Sequence, residues 1–257
     1  MISLNGKTVF ITGASSGIGA ACAHAFAALD ARLLLAARRL ERLEKLAAEI
    51  YAQHGVEVRT LQLDVRDQPA VVAAINSLPA AWAAVDILIN NAGLSRGLDK
   101  LHEGKLADWE EMIDTNVKGL LYVSRAVIPG MVARRRGHVI NIGSIAGHQV
   151  YPSGNVYSAT KHAVAALTQG MRMDLLGTEV RVSTVDPGMV ETEFSQVRFR
   201  GDETRAAKVY QGLTPLTPDD VADAVVYCAT RPAHVNINEI IIMPTAQATA
   251  TMAVRAA

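Results

Sequence analysis

The chain has 257 residues, with 25 Lys and Arg against 25 Asp and Glu, so its formal charge is zero when histidine is neutral. A polyanion binder needs a basic surplus or stripe to neutralise phosphates, and neither half of the chain carries one, which argues against nucleic acid as a partner. Half of the residues are hydrophobic and 19% are charged, enough apolar surface for a sizeable core and too much for a disordered chain.

The two cysteines, Cys22 and Cys228, sit in Ala- or Val-rich stretches expected to be helical and buried. They exclude a disulfide scaffold and read as cytoplasmic thiols. The N-terminal MISLNGKTVFITGASSG has neither the basic n-region nor the apolar h-region of an export signal, so a cytoplasmic location is expected. The most apolar long window, residues 70–90, is broken by Asn76, Ser77, Pro79 and Asp86, short of the roughly 20 uninterrupted residues of a membrane span. No membrane partner is expected.

In chain order, Thr8–Thr12 reads as a strand and is followed by a helical pattern from Gly17 to about residue 29. Residues 33–37, 56–61, 85–90, 138–142 and 180–185 repeat the strand signal, each leading into another helical stretch. Such alternation predicts an α/β fold, a parallel sheet with helices on both faces, and the nearly all-apolar strands fit a sheet covered on both sides. No linker, charge run or repeat divides residues 1–257, which read as one domain. Residues 187–217, containing RFRGDETR, form the exception, a long loop or small helical insertion of the kind that closes over substrate.

The first strand runs directly into TGASSGIG, with Gly13, Ser15, Ser16, Gly17, Ile18 and Gly19 opening the first helix. Glycines there let the backbone turn tightly and approach a pyrophosphate, which sits against unpaired N–H groups and the positive end of the helix dipole. Capping alone also accounts for such a turn. About 20 residues on, an NAD site places an acid for the ribose 2′-hydroxyl; here the strand ends in Arg38 and Arg39. Two guanidinium groups suit a 2′-phosphate, which favours NADP(H), with Arg38 the main discriminator. The alternative is that ARRLERLEKL starts a solvated helix in which Arg39 and Arg42 pair with glutamates at helical spacing.

A second cluster comprises Ser144, at the end of the fifth strand, and Tyr157 and Lys161 in YSATK. Tyr157 and Lys161 stand at i and i+4 on one helix face, so phenol and ammonium share a site, and a nearby cation favours the ionised phenol. Asn90, Asn91, Ala92 and Gly93 end the fourth strand at the switch point of the sheet. Asn116 interrupts the apolar stripe of its helix. It fits either a bond that stabilises a kink or a polar role beside Lys161.

Together TGASSGIG, NNAG, Asn116, Ser144, YSATK and the DPGMVET segment resemble the short-chain dehydrogenase/reductase family over residues 5–245. The resemblance implies a single Rossmann-like domain with a seven-stranded sheet of order 3-2-1-4-5-6-7. It implies Tyr157 as general acid/base, Lys161 as the group that lowers its pKa and holds the nicotinamide ribose, Ser144 on the substrate carbonyl, and Asn116 relaying protons through water. Asp64, followed by Val65, is similar to the acid that contacts adenine, and Pro187, Gly188, Val190 and Thr192 to the segment around the nicotinamide. A homotetramer is also implied, and the apolar surplus of Leu120, Leu121, Val123, Val127, Val164, Leu167 and Met171, with the MPTAQATATMAV tail, points to an oligomer.

The second half, TEFSQVRFRGD, TPLTPDDVADAV and PAHVNIN, resembles the branch of NADP-dependent 3-hydroxy acid dehydrogenases acting on serine, allo-threonine or malonic semialdehyde. On that basis Arg198 clamps an anionic group of a small substrate; the plain alternative is a solvated loop charge facing Asp202 and Glu203. Reduction of other small aldehydes, sulfonated ones included, stays open, as does a low-turnover NADP-binding regulator. The seven histidines show no ligand spacing, so no metal is expected. His148 either reaches substrate or is a hydrogen-bonded loop residue.

Overall fold

Seven strands lie side by side in a computed structural model of the protein, which describes residues 3–256. Six are the runs read from sequence: β1 (Thr8–Thr12), β2 (Arg32–Ala37), β3 (Val58–Gln62), β4 (Val85–Asn90), β5 (Gly137–Ile142) and β6 (Val180–Pro187). The seventh, β7 (Glu239–Ile242, EIII), is a short edge strand outside the runs read from sequence. All pairings are parallel and the order is β3-β2-β1-β4-β5-β6-β7. This is the Rossmann-like order. The winding reverses between β1 and β4, which opens a crevice beyond their C-terminal ends.

The helices are α1 (Gly17–Ala27), α2 (Leu40–His54), α3 (Gln68–Asn76), α4 (Ala80–Ala83), α5 (Leu106–Ile113), α6 (Leu120–Ala133), α7 (Asn155–Asp174), α8 (Phe194–Arg198), α9 (Glu203–Lys208) and α10 (Pro218–Ala229). Strand periodicity decides which core each side chain enters. Val9 and Ile11 join Phe26, Leu43, Ile50, Val221 and Val225 on the α1, α2 and α10 side. Phe10, between them in sequence, joins Leu88, Val123, Val127 and Met131 on the α6 side. Cys22 and Cys228 are unpaired and buried between α1 and α10, where desolvation pushes their thiols up to about 12 and about 11.

One open reading resolves here and two change. The insertion at 187–217 is the helical alternative, two short helices, α8 and α9, with the ends of the segment brought together by an isolated Val190–Leu216 bridge. Asn116 lies in a π-helical stretch, Asp114–Gly119, that joins α5 to α6. The apolar surplus invoked for an oligomer is mostly internal: Leu120, Val123, Val127 and Val164 are buried. The exposed apolar groups on these helices are Leu106, Ile113 and Leu121, with Met173 and Leu176 at the end of α7. Among the described residues no helix is long and apolar enough to cross a membrane.

Candidate active site

The turn after β1 closes tightly because two glycines take the left-handed backbone region, Gly13 at φ 66° and Gly17 at φ 54°. A side chain at Gly13 would place its Cβ 2.8 Å from Ala92 Cα. At Gly19 it would stand 2.5 Å from the Gly13 carbonyl oxygen, so Gly19 packs α1 against the turn rather than lining the crevice. Ser16 caps α1 in extended backbone without a side-chain capping bond, which leaves the first N–H groups to an anion. The facing turn is locked in place: Asn91 Nδ2 donates to the Thr12 and Gly13 carbonyls, and Thr12 Oγ1 accepts from the Asn91 and Ala92 amides.

A cavity of about 320 Å³ runs along these turns. Every expected cofactor contact except Gly19 lines it, and so does Ser144; Asn116 and Arg198 do not line it, although Arg198 stacks on the lining residues Tyr157 and Phe194. Leu94, Thr115, Glu193, Phe194 and Val197 also line it, although sequence reasoning did not single them out. The Thr115 hydroxyl is buried without a partner in the protein, an orphaned group that a bound ribose or amide satisfies.

At the adenosine end, Arg38 is exposed and, among the described residues, has no carboxylate within ion-pair distance, whereas Arg39 is engaged. Arg39 donates to Ser15 Oγ at 3.0 Å, to Ser16 Oγ at 2.9 Å and to Glu193 Oε2 at 3.0 Å. Arg42 holds the other oxygen of Glu193 at 2.6 Å. The pairing partner of Arg39 and Arg42 is thus across the cavity, not a glutamate one helical turn away. The Arg66 guanidinium grips both Asp64 oxygens and keeps its carboxyl below the usual range. A glycine cradle, an anion-ready helix start and a guanidinium without a carboxylate together fit a phosphorylated dinucleotide.

The ends of β4 and β5 are braced from below, with Asn90 Nδ2 donating to Asn141 Oδ1 and Asn141 Nδ2 to Thr168 Oγ1 on α7. That fixes the height of α7, which carries Tyr157 and Lys161. Lys161 Nζ donates to the Ile142 carbonyl at 2.8 Å, and burial lowers the ammonium to about 8 against the opposing pull of Asp186. Tyr157 departs from expectation: in the protein, burial raises the phenol, and the groups that pull it down are Arg198 and the Ser144 hydroxyl. Lys161 Nζ is 5.9 Å from the ring centroid and directed at a backbone carbonyl, so it does not offset the desolvation.

Asn116 brackets the main chain of the segment after β4. Its Oδ1 accepts from the Leu94 amide, and its Nδ2 donates to the Leu94 carbonyl and to Thr160 Oγ1, next to Lys161. His148 is the hydrogen-bonded residue, with Nε2 2.8 Å from Asp186 Oδ2. Glu239 joins them, and their ligand-type atoms lie within 4.8 Å of one another. Arg198 is not a solvated charge. Its guanidinium stands 4.9 Å from the Phe194 ring and 5.5 Å from the Tyr157 ring, donates to the Tyr151 hydroxyl at 3.2 Å, and leaves Nε buried without a partner. Nearby arginines are matched: Arg96 pairs with Glu111 and Arg200 with Asp108. Among the described residues Arg198 has no such carboxylate.

Comparison with known proteins agrees with this geometry. A family model for short chain dehydrogenases matches residues 7–203. The chain is 49% identical over 247 residues to the NADP-dependent 3-hydroxy acid dehydrogenase of Salmonella typhi, covering 96% of this chain and 98% of that one. It is 44% identical over 248 residues to the NADP-dependent 3-hydroxy acid dehydrogenase of Schizosaccharomyces pombe, covering 96% of each. Among solved structures it is similar to the closed form of serine dehydrogenase complexed with NADP+, with a TM-score of 0.90 at 46% identity over 96% and 99% of the two chains.

Proposed function

Because the chain belongs to the short-chain dehydrogenase family, we propose that it is an oxidoreductase moving a hydride between NADP(H) and a small 3-hydroxy acid or its semialdehyde or oxo counterpart. When bound, NADP(H) supplies or receives the hydride. The turn from Gly13 to Ile18 holds its pyrophosphate, and Arg38, Arg39 and Ser15 recognise its 2′-phosphate, with Asp64 and Val65 beside the adenine. Lys161 and Thr115 face the nicotinamide half, where residues 187–192 close the pocket.

Ser144 and Tyr157 hold the reacting oxygen of the substrate, and the phenol gives its proton to that oxygen in reduction or accepts it in oxidation. Desolvation keeps the phenol protonated until a positive charge arrives beside it, so in this reading the acid form is the resting state. Asn116 holds the backbone beside Lys161 for a water that carries the proton onward. Because the oxygen is held and the hydride path is fixed by the pocket, orientation supplies much of the rate.

The observation that carries the substrate class is Arg198, a guanidinium stacked over Tyr157 with no carboxylate partner among the described residues. A carboxylate placed there pairs with it in a water-poor site and fixes the reacting carbon. The test compares malonic semialdehyde and L-serine with uncharged aldehydes and alcohols of similar size in wild type and Arg198→Ala. The anionic set should lose about 100-fold or more in kcat/KM, as expected for a charge-assisted bidentate pair, and the neutral set little. Equal losses in both sets would remove the 3-hydroxy acid assignment. We also propose a cytoplasmic homotetramer, a reading supported by the exposed Leu106, Ile113, Leu121, Met173 and Leu176, which neighbouring copies would cover.

A further inference from the structure

The ion pairs at the adenosine end join segments far apart in the chain. Arg39 follows β2, and its guanidinium is shared among the Ser15 and Ser16 hydroxyls and Glu193. Glu193 immediately precedes α8, and both of its oxygens are held, Oε2 by Arg39 and Oε1 by Arg42. The two guanidinium groups keep its carboxyl below the usual range, so it is an anion at neutral pH. The other carboxylate at this end, Asp64, is already neutralised by the fork of Arg66. Glu193 therefore contributes the negative charge that sits on the Arg39 side of the pocket.

Arg39 donates from one nitrogen to the carboxylate and from the other to two serine hydroxyls, and hydroxyls that accept from a guanidinium keep their own protons for an anion beside it, so the three groups together make the N–H and O–H donor set that a phosphate monoester takes. We propose that Glu193 is an internal competitor of the cofactor's 2′-phosphate, occupying Arg39 until that phosphate displaces it and so setting how strongly the site favours phosphorylated dinucleotides. This rests on NADP(H) as the cofactor. On entry of the phosphate, Arg39 exchanges one anion for another while Arg42 retains Glu193, so the carboxylate is never left unpaired. Affinity for the phosphate is reduced by the broken Arg39–Glu193 pair and by repulsion from a carboxylate a few ångströms away. Both opposing effects vanish when the carboxylate does.

Calorimetry on the full-length, cofactor-free protein tests this with two fragments that lack the nicotinamide, 2′,5′-ADP and 5′-ADP. In Glu193→Gln, 2′,5′-ADP should bind about three- to tenfold more tightly than in wild type, the effect of one unit charge at close range in a solvated site, while 5′-ADP changes less than about twofold. Glu193→Ala, which removes the carboxyl group and puts no amide in its place, should tighten 2′,5′-ADP in the same sense. Unchanged or weaker binding of 2′,5′-ADP in both variants would overturn the competitor role, and equal tightening of both fragments would overturn its specificity for the 2′ position. The cofactor assignment is judged separately by wild type: if it binds 2′,5′-ADP no better than 5′-ADP, the NADP reading fails whatever the variants do.

Discussion

Replacing Lys161 by methionine should make the protein more stable at neutral pH while destroying its chemistry. The ammonium is buried and lowered from 10.5 to about 8. At about 1.4 kcal/mol per tenfold change in proton affinity, keeping it charged at pH 7 costs the folded state about 3 kcal/mol. Between pH 8 and 10.5 the unfolded chain keeps the proton that the folded chain releases, so wild-type stability from this group rises with pH across that window and the cost is complete below it. Methionine fills similar volume with no charge, but it leaves the Ile142 carbonyl without the donor seen at 2.8 Å, a loss of about 1 kcal/mol that does not depend on pH. Urea denaturation of the cofactor-free proteins should find Lys161→Met more stable by about 2 kcal/mol at pH 7 and nearly equal to wild type at about pH 9.5. A variant less stable than wild type at pH 7, or an advantage that stays constant with pH, would show that the ammonium is solvated or better paired than its surroundings indicate.

Tyr157→Phe keeps the ring against Phe194 and removes the transferable proton; turnover should fall by about 10²- to 10⁴-fold with NADP(H) affinity nearly unchanged, measured by steady-state kinetics and fluorescence titration. Arg38→Asp should reverse the cofactor preference by at least about tenfold in the ratio of kcat/KM values, since among the described residues this guanidinium has no carboxylate to give up. In Gly143→Ala the new Cβ would stand 1.7 Å from Asp186 Oδ1, so thermal unfolding should show a loss of several kcal/mol, on the order of 3, and any surviving enzyme should be nearly inactive. Sedimentation should find a tetramer at micromolar concentration, and substituting Leu176 and Met173, exposed at 88% and 76%, by glutamate should dissociate it.

What the sequence reveals depends on how local the physics is. β1, β4 and β5 are wholly buried, so their apolar runs stand out without any partner. β7 carries three isoleucines in a row but only four residues: Ile240 and Ile242 face the core while Glu239 and Ile241 look outward, and so short a run without alternation is ambiguous until β6 lies beside it. The Gly13 turn, Ser144, Tyr157 and Lys161 are legible because strand ends and helix spacing alone bring them together. Thr115 is not, because a π-helical stretch turns it toward the cavity, and nothing in the alphabet of residues 114–119 signals an extra residue per turn. Glu193 is beyond reach for a different reason: its partners Arg39 and Arg42 are 154 and 151 residues away. Burial of Tyr157, which decides the direction of its proton equilibrium, likewise emerges only once Phe194 and Arg198 have folded over it.

The strand order also shapes the route by which the chain acquires its structure. β1 is available from the start of synthesis, pairs first with nearby β2 through Thr8 and Arg32, and must then wait for Val85 to arrive on its other edge. Until β4 arrives, the edge of β1 that will become the centre of the sheet is open to any other strand. The same delay separates Gly13 from Asn91, whose amide clamps the turn. A chain whose first three strands wait with a central edge open should fold slowly relative to its size and be most prone to aggregate while only those strands exist. The Asn91 clamp therefore also reports on maturation: exchange protection of the Asn91 and Ala92 amides should rise late, together with the β4 amides, and not with those of β2.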